Sequence, residues 1–243
     1  QQIIPRLLNV QQFFTGPSSL PLDAPEAALP DHEPFTQHCL HGEALQANGI
    51  VDALMGSGMS QERIFMELIT PAARQLGVLW EQDLCSFTQV TCGLAMMHQL
   101  IYRLGYASPA GPHGEGERER VMLACAPGSQ HFLGLTIVAD FFRRAGAEVV
   151  LEISSTESEL LRAVANEWFD VIGVSVAIES QLPGLPDLIR QLRAHSGNPK
   201  ARVVLGGPIF FLQELEAEAL GAEAIFTDAR EAVAALYHPI RPD

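Results

Sequence analysis

Between residues 86 and 104 apolar side chains recur at alternating steps of three and four. Phe87, Val90, Leu94, Met97, Ile101 and Leu104 thus lie in one stripe along a predicted helix. Ahead of it, Ile64, Leu68, Ala72, Leu76 and Trp80 share a face of a second helix that starts at Ser60 as N-cap and meets Pro71, a residue expected to kink or split it. Residues 35–47 and 51–55 carry a weaker helical period. These segments predict a small helical bundle. Further along, the rhythm changes to short apolar runs at 120–126, 147–153, 170–176, 201–206 and 224–227. Amphipathic segments at 131–145, 157–167, 186–194, 210–219 and 229–237 alternate with them. Such alternation predicts an α/β fold, a doubly wound, flavodoxin-like five-stranded parallel sheet with crossover helices, whose ligands sit beyond the carboxyl ends of the strands.

Two breaks divide the chain. Pro5, Pro17, Pro21, Pro25 and Pro30 interrupt a stretch without steady apolar period, so residues 1–33 read as an extended arm. Pro109, Gly111, Pro112, Gly114 and Gly116 mark residues 108–119 as an inter-domain linker. The expected organisation is therefore an arm (1–33), a helical-bundle domain (34–107), a linker and an α/β domain (120–243).

Charge narrows the classes of function. Asp and Glu outnumber Lys and Arg by 29 to 15, the net charge is −14 and Lys200 is the single lysine. Duplex DNA repels such a surface, because non-specific affinity comes from cations displacing phosphate counterions, so any action on genes is expected to run through another protein. No apolar run approaches a membrane span, and the N-terminal residues lack the layout of a signal peptide, which points to a cytoplasmic protein with no membrane partner. Cys39, Cys85, Cys92 and Cys125 show neither a C-x-x-C pair nor zinc spacing and read as buried thiols.

The candidate chemistry stands at the predicted strand ends. Gly128-Ser129-Gln130-His131-Phe132-Leu133-Gly134 follows the first strand and leads into a helix. Forty residues separate Gly134 from Ser175-Val176-Ala177 at the end of the third strand, and a further twenty-eight separate Ala177 from Gly206-Gly207 at the end of the fourth. Taken singly, the histidine would serve as a cap or a surface residue, and the glycines would turn the chain before Pro208. All three elements on one ligand-binding rim are a more specific signal.

These residues resemble the cobalamin-binding fold, whose pattern is Asp-x-His-x-x-Gly, then Ser-x-Leu, then Gly-Gly. The resemblance implies a cobalamin held base-off, with His131 as lower axial ligand to cobalt, since a neutral imidazole can replace the cofactor's own benzimidazole. The displaced nucleotide tail would thread past Gly134 at the mouth, Ser175 with its hydroxyl, Ala177 as a wall, and Gly206 and Gly207, which allow close backbone approach. Ser129 stands where the family usually has Asp, so the carboxylate that would orient His131 is missing. Ala177 stands where Leu is usual. Enzymes that cycle cobalt through methyl transfer lean on the Asp–His pair, so its loss favours a sensor, and no catalytic residue is expected.

The helical half extends the likeness. Gly77-Val78-Leu79-Trp80-Glu81 resembles the cap of methionine-synthase-like corrinoid proteins and of cobalamin photoreceptors, which implies that Trp80 lies over the upper face of the cofactor. The photoreceptors place Glu and His about ten residues on, where this chain has Gln89, Val90 and Thr91, so the upper ligand differs. None of His32, His38, His41 and His98 is assigned to that place. Trp80-Glu81-x-Asp83-x-Cys85-x-Phe87 with the Ser129 variant is most similar to the photosynthesis antirepressors of purple bacteria, the AerR/PpaA group. That resemblance implies a light-responsive regulator that binds a transcriptional repressor of photosynthesis genes. Two rivals remain: a heme sensor of the same fold using His131, and a corrinoid carrier subunit of a methyltransferase or mutase.

Overall fold

A computed structural model of the protein describes residues 30–107, 119–153 and 155–237. They fall into two compact units, a helical one up to residue 107 and an α/β one from residue 119. The expected arm before residue 30 and linker residues 108–118 lie outside the described residues.

In the helical unit, α1 (Glu33–Leu40) carries Pro34 in its first turn, where the missing N–H has no intrahelical partner to lose. The expected helix over 35–47 is broken after Leu40, because Gly42 adopts φ +72°, and α2 (Ala44–Gly56) starts just beyond it. Ser60 caps α3 (Gln61–Arg63), its hydroxyl accepting the Arg63 N–H at 3.2 Å. Pro71 does split the segment that follows. A widened π turn, Ile64–Ile69, precedes α4 (Thr70–Glu81) and leaves Pro71 in the first turn of α4, where no donor is required of it. The Thr70 hydroxyl closes the widened turn by donating to the Phe65 carbonyl at 2.8 Å. Finally, α5 (Phe87–Ala107) runs beyond the predicted residue 104. Phe35, Phe65, Leu68, Leu76, Met97 and Ile101 lie in the core, and the stripes are buried from Ile64 to Leu76 and from Met97 to Leu104. The other end of each is not: Trp80 is 52% and Phe87 69% exposed, so Trp80 does not close the stripe as a core aromatic.

The α/β unit has the predicted alternation. Its strands are β1 (Arg120–Cys125), β2 (Glu148–Glu152), β3 (Val171–Ser175), β4 (Arg202–Gly206) and β5 (Ala224–Phe226). All pair in parallel, in the order β2-β1-β3-β4-β5. Crossovers are made by α6 (Leu133–Ala145), α7 (Glu157–Asn166), α8 (Leu185–His195) and the single turn α9 (Ile209–Leu212), and α10 (Ala229–Leu236) closes the unit. Strands buried on both faces need apolar residues at every position. Met122, Ile172 and Val203 accordingly pack with Leu160 of α7 and Leu188 of α8 on one face. Val121, Leu123 and Val204 pack with Phe142 of α6 and Leu236 of α10 on the other.

One predicted helix fails. In place of 210–219 the chain makes only α9, turns extended at Gln213 (φ −134°, ψ 126°) and ends in a 3-10 turn, Glu218–Leu220. From Gln213 to Glu218 the residues alternate with period two: Gln213, Leu215 and Ala217 are half-buried, while Glu214, Glu216 and Glu218 are exposed. That is the period of extended chain, and a helix would also have set Glu214 against Glu218 at i,i+4.

Candidate functional site

At the end of β1 the chain turns through Pro127 and Gly128. The Ser129 N–H closes the turn on the Ala126 carbonyl at 3.0 Å, and Gly128 takes the positive φ, +79°, that its second central position needs. His131 follows, ahead of α6 rather than within it as the predicted span 131–145 had it. Two side chains hold its main chain: the Ser129 hydroxyl accepts the His131 N–H at 3.3 Å, and the Cys125 thiol donates to the His131 carbonyl at 3.9 Å. The imidazole takes no part in either contact and is exposed. Ser129, by contrast, is only 3% exposed, so its hydroxyl is spent on the backbone of His131 and not on its ring.

The register places the other strand ends beside this loop. Cys125 pairs with Ser175, and Ser175 pairs with Gly206, so the carboxyl ends of β1, β3 and β4 form one rung. Main-chain bonds continue past it: Ala126 N–H donates to Ser175 O at 2.9 Å, and Val176 N–H to Gly206 O at 2.8 Å. Ser175 and Ala177 are buried, with Ile178, Glu179 and Ser180 exposed just beyond. The sequence-predicted residues His131, Ser175, Ala177, Gly206 and Gly207 are thus brought to one edge of the sheet, with Gly134 in the first turn of α6. Trp80 belongs to the helical unit. There it stands at the end of α4 among other exposed apolar residues, Val78, Leu84 and Phe87.

The three glycines differ. A Cβ on Gly207, whose φ is +112°, would lie 2.3 Å from the Val176 carbonyl oxygen and 3.0 Å from Ser175 Oγ, and one on Gly206 would lie 2.9 Å from the Phe226 carbonyl oxygen. Both are required by the sheet's own backbone. A Cβ on Gly134 would meet nothing within 4 Å, so its surroundings are open. The rim thus has open space over the first turn of α6 and an exposed His131 side chain beside it. Among the described residues no group of three or more His, Cys, Asp or Glu could hold a bare metal ion.

Burial pushes the Cys125 thiol up to about 11 and the Cys39 thiol up to about 12, so both stay protonated. The reading of all four cysteines as buried thiols holds for these two. Cys85 is half-buried and Cys92 exposed.

Sequence reasoning missed two residues of this rim. Cys125 was read only as a buried thiol. Gln181, whose side-chain oxygen accepts the N–H groups of Ala177 (2.8 Å) and Ile178 (3.2 Å), carries no motif at all.

Comparison with known proteins bears on the family and the fold. The B12 binding domain family matches residues 119–237. Residues 119–237, the α/β unit, thus match a cobalamin-binding domain, and cobalamin is the cofactor that this match supports. The chain is 28% identical over 179 residues to a protein of Rhodobacter capsulatus described as an uncharacterized 20.5 kDa protein in the bchF-crtJ intergenic region, covering 74% of this chain and 93% of that one. It is also 28% identical over 132 residues to the HTH-type transcriptional repressor CarH of Myxococcus xanthus, covering 54% of this chain and 42% of that one. Among solved structures, the monomethylamine corrinoid protein of Methanosarcina barkeri shares the fold with a TM-score of 0.70 at 15% identity, over 84% of this chain and 95% of that chain.

Proposed function

We propose that the protein is a cobalamin-dependent, light-responsive regulator that acts by binding a transcriptional repressor of photosynthesis genes. His131 would hold the cobalt, Gly134 would leave room for the nucleotide tail, and Ser175, Ala177, Gly206 and Gly207 would line its path, with the Ser175 hydroxyl available to the tail base. Ser129 holds the main chain of His131, and Trp80 is the residue of the helical unit that the cap resemblance assigns to the cofactor. The observation that carries this reading is the His131 loop, where two side chains pin the main chain while the side chain stays exposed, in the loop that follows the rung of Cys125, Ser175 and Gly206.

Bound cobalamin supplies a cobalt whose upper ligation light can change. The chain's own residues hold the main chain of His131 fixed, so a change of ligation is not lost in movement of that loop. Support for a regulator comes from the likeness to a transcriptional repressor and to the bchF-crtJ intergenic protein. The net charge of −14 supports action through a protein rather than on DNA. Among the described residues no helix is long and apolar enough to cross a membrane.

A carrier subunit for methyl transfer is the second reading, favoured by the shared fold of the monomethylamine corrinoid protein. Against it stands Ser129, which offers no carboxylate and gives its hydroxyl to the backbone.

The test is a titration of repressor-bound promoter DNA with the hydroxocobalamin-loaded protein, illuminated and dark. Illuminated protein releases the DNA at lower concentration than dark protein, and without repressor it shifts no DNA at physiological salt. Superimposed curves would remove the light switch, since a ligand that favours neither state shifts nothing. Stoichiometric uptake of heme with no retention of corrinoid would transfer the site to a heme sensor.

A further inference from the structure

The turn beyond β3 holds a buried polar group that the fold leaves unused. Gln181 ends the short 3-10 turn Glu179–Gln181, and its side chain folds back toward the strand. Its Oε1 accepts two main-chain N–H groups, from Ala177 at 2.8 Å and from Ile178 at 3.2 Å. That double contact fixes which end of the amide is which, because the reversed amide would set its own N–H bonds against two N–H donors. The other end, Nε2, is buried and meets no hydrogen-bond acceptor among the described residues.

A sealed amide donor without an acceptor is destabilising, and folded proteins keep few of them. This one has a location that explains it. The residues it clamps are the second and third after Ser175, on the rung that also holds Gly206. Ala177 is the expected wall of the tail channel, and Ile178, Glu179 and Ser180, the residues that begin the turn, are exposed. A group threading past Ser175 would therefore reach the turn from its open side. An uncharged double donor there calls for an oxygen acceptor. The chemistry of a nucleotide tail, with its phosphodiester and ribose oxygens, provides one, whereas the corrin ring bound on the His131 side does not need to.

We propose that Gln181 is a further cofactor-binding residue. One end of its amide holds the Ala177–Ile178 main chain, and the other donates to an oxygen of the cofactor's nucleotide tail once the tail is in place. This rests on the corrinoid reading of the site and adds to it a residue outside the three-part motif.

Gln181→Glu separates the two ends of the amide, since a carboxylate still accepts from Ala177 and Ile178 but has no hydrogen to donate and repels a phosphodiester. The probes are hydroxocobalamin, which has the nucleotide tail, and diaquocobinamide, which lacks it. Gln181→Glu should weaken hydroxocobalamin binding by about tenfold or more, leave diaquocobinamide binding within about twofold of wild type, and keep the melting temperature of the cofactor-free protein. Unchanged hydroxocobalamin affinity, or an equal loss for both corrinoids, would overturn the inference while leaving the corrinoid reading standing. Wild-type protein that retains no hydroxocobalamin would instead remove the reading beneath it. If the variant does not fold, 15N-labelled wild-type protein answers the same question. The Gln181 side-chain amide resonances should move downfield with hydroxocobalamin and stay in place with diaquocobinamide, and no movement with either overturns the inference.

Discussion

The loop after β1 and the turn after β4 carry two parts of one sequence pattern, yet they are held by opposite means. At His131 the backbone is fixed by Ser129 and Cys125 and the side chain is left free. At Gly206 and Gly207 no side chain can exist, because the neighbouring carbonyls of Phe226 and Val176 already occupy the space. The first arrangement leaves a side chain available to a ligand. The second is demanded by the sheet itself, whatever is bound. Residues of one binding motif can thus answer to different constraints, and a binding assay alone does not tell them apart.

The largest effect should come from the turn. In Gly207→Ala the new Cβ would need the Val176 carbonyl to move while the residue holds a φ of +112°, so the α/β unit should lose more than about 4 kcal/mol of stability. Thermal denaturation of the cofactor-free protein checks it, and a melting temperature close to wild type would show that the turn is pliable. The loop should behave in the reverse way. His131→Ala should abolish retention of hydroxocobalamin through gel filtration and shift the unfolding free energy by under about 0.5 kcal/mol, since the residue is exposed.

Gly134 sharpens the contrast because it belongs to the pattern but lies in open space. Gly134→Leu should keep the fold, with a stability change under about 1 kcal/mol, while hydroxocobalamin binding falls by about tenfold or more as the mouth of the channel is filled. An unfolded variant would place Gly134 with Gly207 as a demand of the fold. The smallest effect belongs to Ser175→Ala, which removes one hydroxyl from a site that stays otherwise intact and should weaken binding by about 1 kcal/mol without altering the melting temperature.

What the sequence disclosed, and what it hid, follows the same line. Strands β1 to β5 lie within a residue or two of their apolar runs, and β1, β3 and β4, buried along most of their length, leave the nearly unbroken apolar signature of parallel strands covered on both faces. His131, Ser175 and Gly206 were legible as strand-end residues at fixed spacing, and the register puts their strand ends on one rung. The failures came where two periods compete or where a contact has no sequence spacing. Between Gln213 and Glu218 the apolar content suggested a helix, while the alternation of Glu with Leu and Ala gave extended chain. Pro71 was visible as a break, but not the widened turn that absorbs it. The clamp of Gln181 on Ala177 and Ile178 depends on how one short turn folds back, and nothing in the order of residues announces it.

The central claim is that His131, presented by its pinned backbone, holds the cobalt of cobalamin. Protein labelled with 15N-histidine, loaded with cobalamin and reduced to the cob(II)alamin form gives the most direct test by electron paramagnetic resonance. An axial nitrogen from His131 should turn the superhyperfine triplet seen with natural-abundance protein into a doublet. A triplet that survives the labelling would mean that the cofactor keeps its own base on cobalt and that His131 is not its ligand.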